Sequence, residues 1–336
     1  MTTPRAELAD FDAIADKLGA LRSALGSVIV GQRDAVDLLL TALLCRGHVL
    51  VVGVPGLAKT LLVRTLAKAV GLEFSRIQFT PDMMPSDILG TELIQEDERG
   101  ERHLRFVKGP VFAQLILADE INRTPPKTQA ALLEAMAEHQ VTAAGKSMKL
   151  EEPFVVVATQ NPIEQEGTYP LPEAQLDRFM LALEVGYPTL EEEKRIVAET
   201  PRIVAAANEV QPVVTRDELL KFADAVWRMP VSEHVVDYAV RLARATRPDD
   251  EGSPEVVKKY VGWGAGPRAG QALLHGAKAV SAMAGEPTPS CEHVDRIAPS
   301  VLRHRVLTNY AAAGDGVSAG DVVKAVVAAV TPAKYG

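Results

Sequence analysis

The stretch Gly53-Val54-Pro55-Gly56-Leu57-Ala58-Lys59-Thr60, followed by Leu61, sets an ammonium and a hydroxyl side by side after a glycine-bearing turn. That spacing suits a polyphosphate. Loop N–H groups converge on anionic oxygens, Lys59 reaches the terminal phosphates, and Thr60 offers its hydroxyl to Mg2+. The stretch departs by one letter from G-x-x-x-x-G-K-[ST], because Ala58 stands where the second defining glycine would be. Alanine is tolerable there if its φ is already negative as the next helix begins. A positive φ would cost about 1 kcal/mol or more relative to glycine.

Two further strand ends complete a set. The run "LILADE" ends in Asp119 and Glu120. The first can hold hydrated Mg2+, and the second can polarise a water towards a γ-phosphate. The run "FVVVATQNP" adds Asn161, whose amide could hold that water or the phosphate. Taken singly, these are a glycine-rich turn, an acidic turn and an Asn-Pro turn. Together they are the groups needed to cleave a nucleoside triphosphate.

Positioning them requires strands. Short apolar runs at 48–53, 74–80, 114–120, 154–160 and 179–185 alternate with helical patterns such as 60–70 and 128–139. Near-continuous apolar strands with helices between them predict a parallel sheet covered on both faces. Two segments break that rhythm, 87–110 and 141–150, and both read as hairpin inserts. Beyond residue 188 the strand signal gives way to helical periodicity. The expected organisation is therefore an α/β domain over 1–188 and an all-α domain over 189–336.

Composition narrows the function. The chain has 336 residues, enough for two domains, and a net charge of −8 exerts no global pull on nucleic acid or anionic membranes. Aromatic residues are only 5%, too few for obvious base-stacking surfaces. Cys45 and Cys291 are isolated and read as free thiols. No run is long and apolar enough to span a membrane, and the N-terminus lacks signal-peptide character, so a cytoplasmic location is expected. Neither G-x-S-x-G nor H-E-x-x-H occurs. Glu134 and Glu138 read as a solvated helix face, and "LRHRV" (302–306) as a basic surface patch.

The combination of "VGVPGLAKT", "LILADEINRTPPKTQAALLEAM", "VVATQNPIEQEGTYPLPEAQLDRF" and "GAGPRAG" resembles the MoxR family of AAA+ ATPases, from about Val30 to Arg268. That family commonly carries alanine at the position of Ala58, so the resemblance implies a working phosphate loop with ATP and Mg2+ as ligands. It implies a P-loop fold with a five-stranded parallel sheet and an all-α lid. The motif around Ile29, Val30, Gly31 and Gln32 would line the adenine pocket. The inserts correspond to the helix-2 insert and pre-sensor hairpin, which point into the pore of a ring.

Two arginines follow from the resemblance. Arg178 in "AQLDRF" is similar to the arginine finger that a neighbouring subunit supplies; the plain reading is an Asp177–Arg178 surface ion pair. Arg268 matches the second sensor arginine, and whether it serves its own nucleotide or the neighbour's is left open. Pro267 suits the first helical position, so Arg268 opposes the helix dipole by roughly 0.3–1 kcal/mol, which suggests an anionic partner. The implied assembly is a homo-oligomeric ring, a hexamer by resemblance. Its work would be chaperone-like remodelling of protein clients, with a von Willebrand factor A domain protein as partner. The alternative is a nucleic-acid motor or loader of the related branch, which the acidic charge disfavours.

Overall fold

The computed structural model describes residues 4–96, 102–143, 145–163 and 167–332. Helices α1 (Pro4–Gly26) and α2 (Arg33–Leu44) lead into β1 (Val49–Gly53), and α3 (Lys59–Ala69) leads to β2 (Phe74–Gln78). A short α4 (Pro85–Leu89) opens the hairpin of β3 (Gly90–Glu96) and β4 (Arg102–Lys108), ahead of β5 (Leu115–Asp119) and α5 (Pro126–Glu138). A second hairpin, β6 (Gln140–Ala143) and β7 (Lys146–Lys149), precedes β8 (Val155–Gln160), α6 (Glu173–Leu176) and β9 (Leu181–Val185). Both hairpins fall where the two interruptions of the α/β rhythm predict them.

The remaining chain is helical: α7 (Leu190–Glu209), α8 (Arg216–Arg228), α9 (Glu233–Arg244) and α10 (Glu255–Tyr260) come first. After them lie α11 (Pro267–Met283), α12 (Cys291–Leu302), α13 (Tyr310–Asp315) and α14 (Ala319–Ala329). The one addition is a short antiparallel pair, β10 (Val261–Trp263) with β11 (Leu307–Thr308), too brief to leave a periodic signal.

The sheet is parallel, in the order β2-β5-β8-β1-β9. Side chains alternate between its faces. Val49, Val51, Leu117, Val157 and Leu183 join one buried cluster, while Leu50, Ile116, Val156, Ala158 and Ala182 join the other. Both faces are dry, which is why these strands read as continuous apolar runs rather than as alternating ones. The first cluster is continuous with the C-terminal helices through α1, α2, α9, α11 and α12. The boundary expected near residue 188 is thus not a break in the core.

"LRHRV" does not form the surface patch expected of it. Arg305 is buried, and its Nε donates to Asp177 Oδ1 at 2.8 Å. Its other nitrogens donate to the carbonyls of Val301, Phe179 (2.7 Å) and Met180 (3.1 Å). A buried guanidinium needs this many acceptors, and here they join the end of α12 to the chain entering β9. The neighbouring His304 faces Phe179 O at 2.9 Å. Sequence alone cannot tell a charge run on a surface from one folded inward against carbonyls.

Two histidines are held neutral by the fold. His48 Nδ1 accepts from Val156 N at 3.0 Å while Nε2 faces Met136 O at 3.2 Å, so the ring fits as the Nε2–H tautomer. Burial pulls its pKa from 6.5 down to about 4. Burial, aided by Arg305, pulls His304 down to about 3. Both folded values lie below the unfolded value, so the stability they contribute is complete above pH 6.5. It declines as pH falls towards 4 and then 3, because the unfolded chain binds the extra protons. Denaturant midpoints measured between pH 7 and pH 5 should therefore fall, and His48→Leu should flatten that slope even if it lowers stability at pH 7. An unchanged slope would contradict the assignment.

Candidate active site

The phosphate loop begins where β1 ends. A Cβ on Gly53 would meet Val185 O at 2.8 Å, so glycine lets β1 close on β9. Gly56 lies at φ +87 with open space around it, leaving room for a ligand against the backbone. Ala58 also has a left-handed backbone, φ +55, contrary to the negative φ that would have made alanine free of strain. The departure from glycine therefore costs about 1 kcal/mol, and the loop keeps its shape despite the side chain.

Helix α3 starts at Lys59 with no side-chain cap at Ala58, so its first N–H groups are left for an anion. Lys59 Nζ donates to Gly53 O at 2.6 Å, which folds the ammonium across the loop. Partial burial lowers the Lys59 pKa, while Asp119 and Glu120 oppose that shift.

Two cations and a hydroxyl organise the acid pair. Asp119 Oδ1 accepts from Thr159 Oγ1 at 2.6 Å, and Thr159 Oγ1 in turn accepts from Glu120 N at 2.9 Å. Asp119 Oδ2 accepts from Arg76 Nη2 at 2.7 Å and Nε at 3.2 Å. Glu120 Oε2 accepts from Gln78 Nε2 at 3.0 Å and Arg123 Nη1 at 3.2 Å. Glu120 itself lies at φ +58, which turns its side chain out of the strand direction. Asn161 is buried, and its Oδ1 accepts from Ile163 N at 3.2 Å, leaving the NH2 end available to a ligand. The loop from Pro55 to Leu61 lines one cavity of about 440 Å³ with Arg76, Asp119, Glu120 and Asn161.

A second cavity of about 580 Å³ lies between residues 30–35 and the end of β9 with the start of α7. Ile29 and Val30 are buried, and a Cβ on Gly31 (φ +71) would meet Glu192 Oε1 at 2.5 Å. Gln32, at φ +52, ties this segment to the phosphate loop by donating Nε2 to Leu57 O at 3.2 Å. Its Oε1 is buried without a partner.

The donor set fits Mg2+. Thr60 and Asp119 line the same cavity and could offer hard oxygen ligands, and no group of three or more His, Cys, Asp or Glu among the described residues could cage a metal alone. Magnesium typically takes one or two protein oxygens and completes its shell with water and substrate phosphates.

The two arginines lie elsewhere. The Asp177–Arg178 ion pair does not form: Asp177 holds Arg305 at 2.8 Å and Arg268 at 3.6 Å, while exposed Arg178 donates to Leu133 O at 3.3 Å. Arg268 sits in the first turn of α11 after Pro267, as expected, and its anionic neighbour within the chain is this carboxylate. Strand β9 runs parallel to β1, with Leu181 opposite Val49 and Val185 opposite Gly53. Arg178 precedes that strand while the phosphate loop follows its partner's far end. Five strand residues separate them by roughly 16 Å. Arg268 shares the distant end through Asp177.

Arg76, Gln78, Thr159 and Arg123 join the site without being evident from local sequence patterns, and Arg305 takes a role that its charged run does not suggest. The period-two spacing of Arg76 and Gln78 on β2, one strand from the acids, was the available signal. Nothing in the sequence marks Thr159, and Arg305 stands out only as part of a charged run that reads as surface.

A family model described as "ATPase family associated with various cellular activities" matches residues 48–181, and one described as "AAA lid domain" matches 254–326. The chain is similar to the chaperone MoxR1 of Mycobacterium tuberculosis, 42% identical over 90% of this chain and 79% of that one. It is similar also to the uncharacterised YeaC of Bacillus subtilis, 38% identical over 93% and 94% of the two chains. A solved structure of a candidate ATPase from Cytophaga hutchinsonii superposes with a TM-score of 0.90 at 38% identity, covering 98% of this chain and 99% of that one.

Two substitutions test the local energetics. Ala58→Gly should raise the urea midpoint by the equivalent of about 1 kcal/mol, because it relieves the left-handed strain. Thr159→Val keeps the shape but strands Asp119 Oδ1 and Glu120 N, and should lower stability by about 2 kcal/mol.

Proposed function

Since the chain belongs to the MoxR family of AAA+ ATPases, we propose that it hydrolyses ATP as a homo-oligomeric ring, a hexamer, to remodel or mature protein clients. The observation that carries this reading is the separation of the catalytic groups. Lys59 and the acid pair stand at one end of the sheet, and Arg178 and Arg268 at the other. An arginine that cannot reach its own chain's phosphates can reach the next protomer's, so both would act in trans.

In this mechanism the loop amides and Lys59 grip the triphosphate, and Gln32 Oε1, lacking a partner, would accept from the adenine amino group. Thr60 and Asp119 would hold Mg2+, which when bound neutralises charge on the β- and γ-phosphates. Binding requires Arg76 to release Asp119 and Gln78 to release Glu120, which then acts as base towards a water held by Asn161. The neighbour's Arg178 and Arg268 stabilise the charge that develops on the transferred phosphoryl.

Residues 189–336 would serve as the lid. The inserts would act as pore loops, and exposed Leu93, Ile94 and Leu104 on the first hairpin favour a protein client over a phosphate backbone. By resemblance, a von Willebrand factor A domain protein would be the partner.

Mixing decides between cis and trans action. Arg178→Ala should lower ATPase activity by about 10³-fold or more, and Lys59→Ala should abolish it. Mixed together, the two inactive variants should regain part of the activity, because each supplies what the other lacks. No recovery in an assembled mixture would refute action in trans.

A further inference from the structure

A residue that merely joined two elements would need no charge, since apolar side chains of similar volume often stabilise a buried site at least as well. Arg305 is buried and charged, and all five of its guanidinium N–H groups are engaged. Nε donates to Asp177 Oδ1, and Nη1 donates to the carbonyls of Met180 and Val301. Nη2 donates to the carbonyls of Asp177 at 3.3 Å and Phe179 at 2.7 Å. Only Val301 belongs to Arg305's own side of the contact. The other acceptors all lie on Asp177, Phe179 and Met180, so the guanidinium grips the backbone on both sides of Arg178.

Its neighbours reinforce that grip. Phe179 O also faces His304 Nε2, and the Phe179 ring is sealed in a buried cluster of the sheet. Arg303 pairs with Glu184 Oε2 at 2.6 Å, so residues 303–305 hold β9 near both ends. Arg178 stands exposed on this anchored turn. Asp177 divides its two oxygens. Arg305 fixes Oδ1, and Oδ2 lies 3.6 Å from Arg268, whose side chain is 61% exposed. One buried arginine therefore supports two exposed ones.

We propose that Arg305 is a positioning residue of the ring's shared site: through Asp177 and the carbonyls around Arg178, it sets both exposed arginines for the next protomer's phosphates. This rests on the reading of action in trans and adds a residue that reading does not name. Its consequence is directional. Loosening the grip spoils what a protomer gives its neighbour. It spares what the protomer does with its own nucleotide, because the phosphate loop and the acid pair line a cavity at the other end of the sheet. The fork itself is required. A lysine ammonium has three donors and no fixed plane, so it cannot serve five acceptors around one turn.

Arg305→Lys in the full chain, assembled with Mg2+ and ATP, tests this. Its kcat should fall roughly 10²-fold, the loss that a displacement of about 1 Å can cause, while KM for ATP stays unchanged. Mixing supplies a readout that weakened packing alone would not move. Arg305→Lys mixed with Lys59→Ala should regain activity, because the Lys59→Ala protomer brings an intact arginine turn. Arg305→Lys mixed with Arg178→Ala should regain none, because both lack the same half of the site. If Arg178→Ala is complemented by Lys59→Ala and Arg305→Lys is not, Arg305 acts only within its own protomer; that result overturns the proposal and leaves the ring reading standing. Failure of both pairs would remove both. Should Arg305→Lys not fold, Asp177→Asn replaces it, keeping an oxygen for Arg305 but no charge for Arg268, and it should show the same mixing pattern. Full activity in either folded variant would overturn the proposal.

Discussion

The parallel pairing of β1 with β9, in register from Val49–Leu181 to Gly53–Val185, is the constraint on which the rest depends. It sets the phosphate loop beyond one end of the sheet and the arginine-bearing turn before the other. A strand is stiff on this scale, so no side-chain rotation closes the gap. In the proposed mechanism the chain would carry both halves of a catalytic site while being unable to join them by itself. An ATPase working in that way would be coupled to its neighbours from the start, because each hydrolytic event would need two protomers in contact.

Around that frame, the nucleotide end is assembled under strain. Gln32, Ala58 and Glu120 all adopt left-handed backbone conformations that non-glycine residues avoid. Each sits at the boundary of an element: Gln32 ahead of α2, Ala58 ahead of α3 and Glu120 just after β5. Such geometry survives only when buried neighbours overdetermine it. Here the dry sheet behind β1, β5 and β8 does so, with Thr159 bridging the acid pair from the adjacent strand.

Electrostatics complete the resting arrangement. The two carboxylates that would meet Mg2+ and water are each held by a cation, Arg76 on Asp119 and Arg123 on Glu120, with Gln78 alongside. These contacts are partly exposed and individually weak. They suffice to keep adjacent carboxylates ordered, and a dication with a triphosphate can displace them. At the opposite end Arg305 is fully committed to Asp177 and three carbonyls. It acts as a permanent tie between α12 and β9, and it fixes where Arg178 and Arg268 stand.

Much of this was legible in the sequence by itself. The loop, the Asp119–Glu120 pair and Asn161 are local patterns at strand ends, and the five strands stand out because burial on both faces demands unbroken apolar runs. Both hairpins showed as polar interruptions of that rhythm. Only the tertiary structure decided the rest. The backbone at Ala58 took the costlier conformation, because φ at a loop end is set by what closes around it. Arg76, Gln78 and Thr159 joined the acid pair because β2, β5 and β8 lie side by side. The run "LRHRV" became a buried tie rather than a surface patch, and Arg268 came to share the distant end with Arg178. Strand adjacency and the inside or outside of a charged run are properties of long-range packing, and a local pattern of residue types carries no record of them.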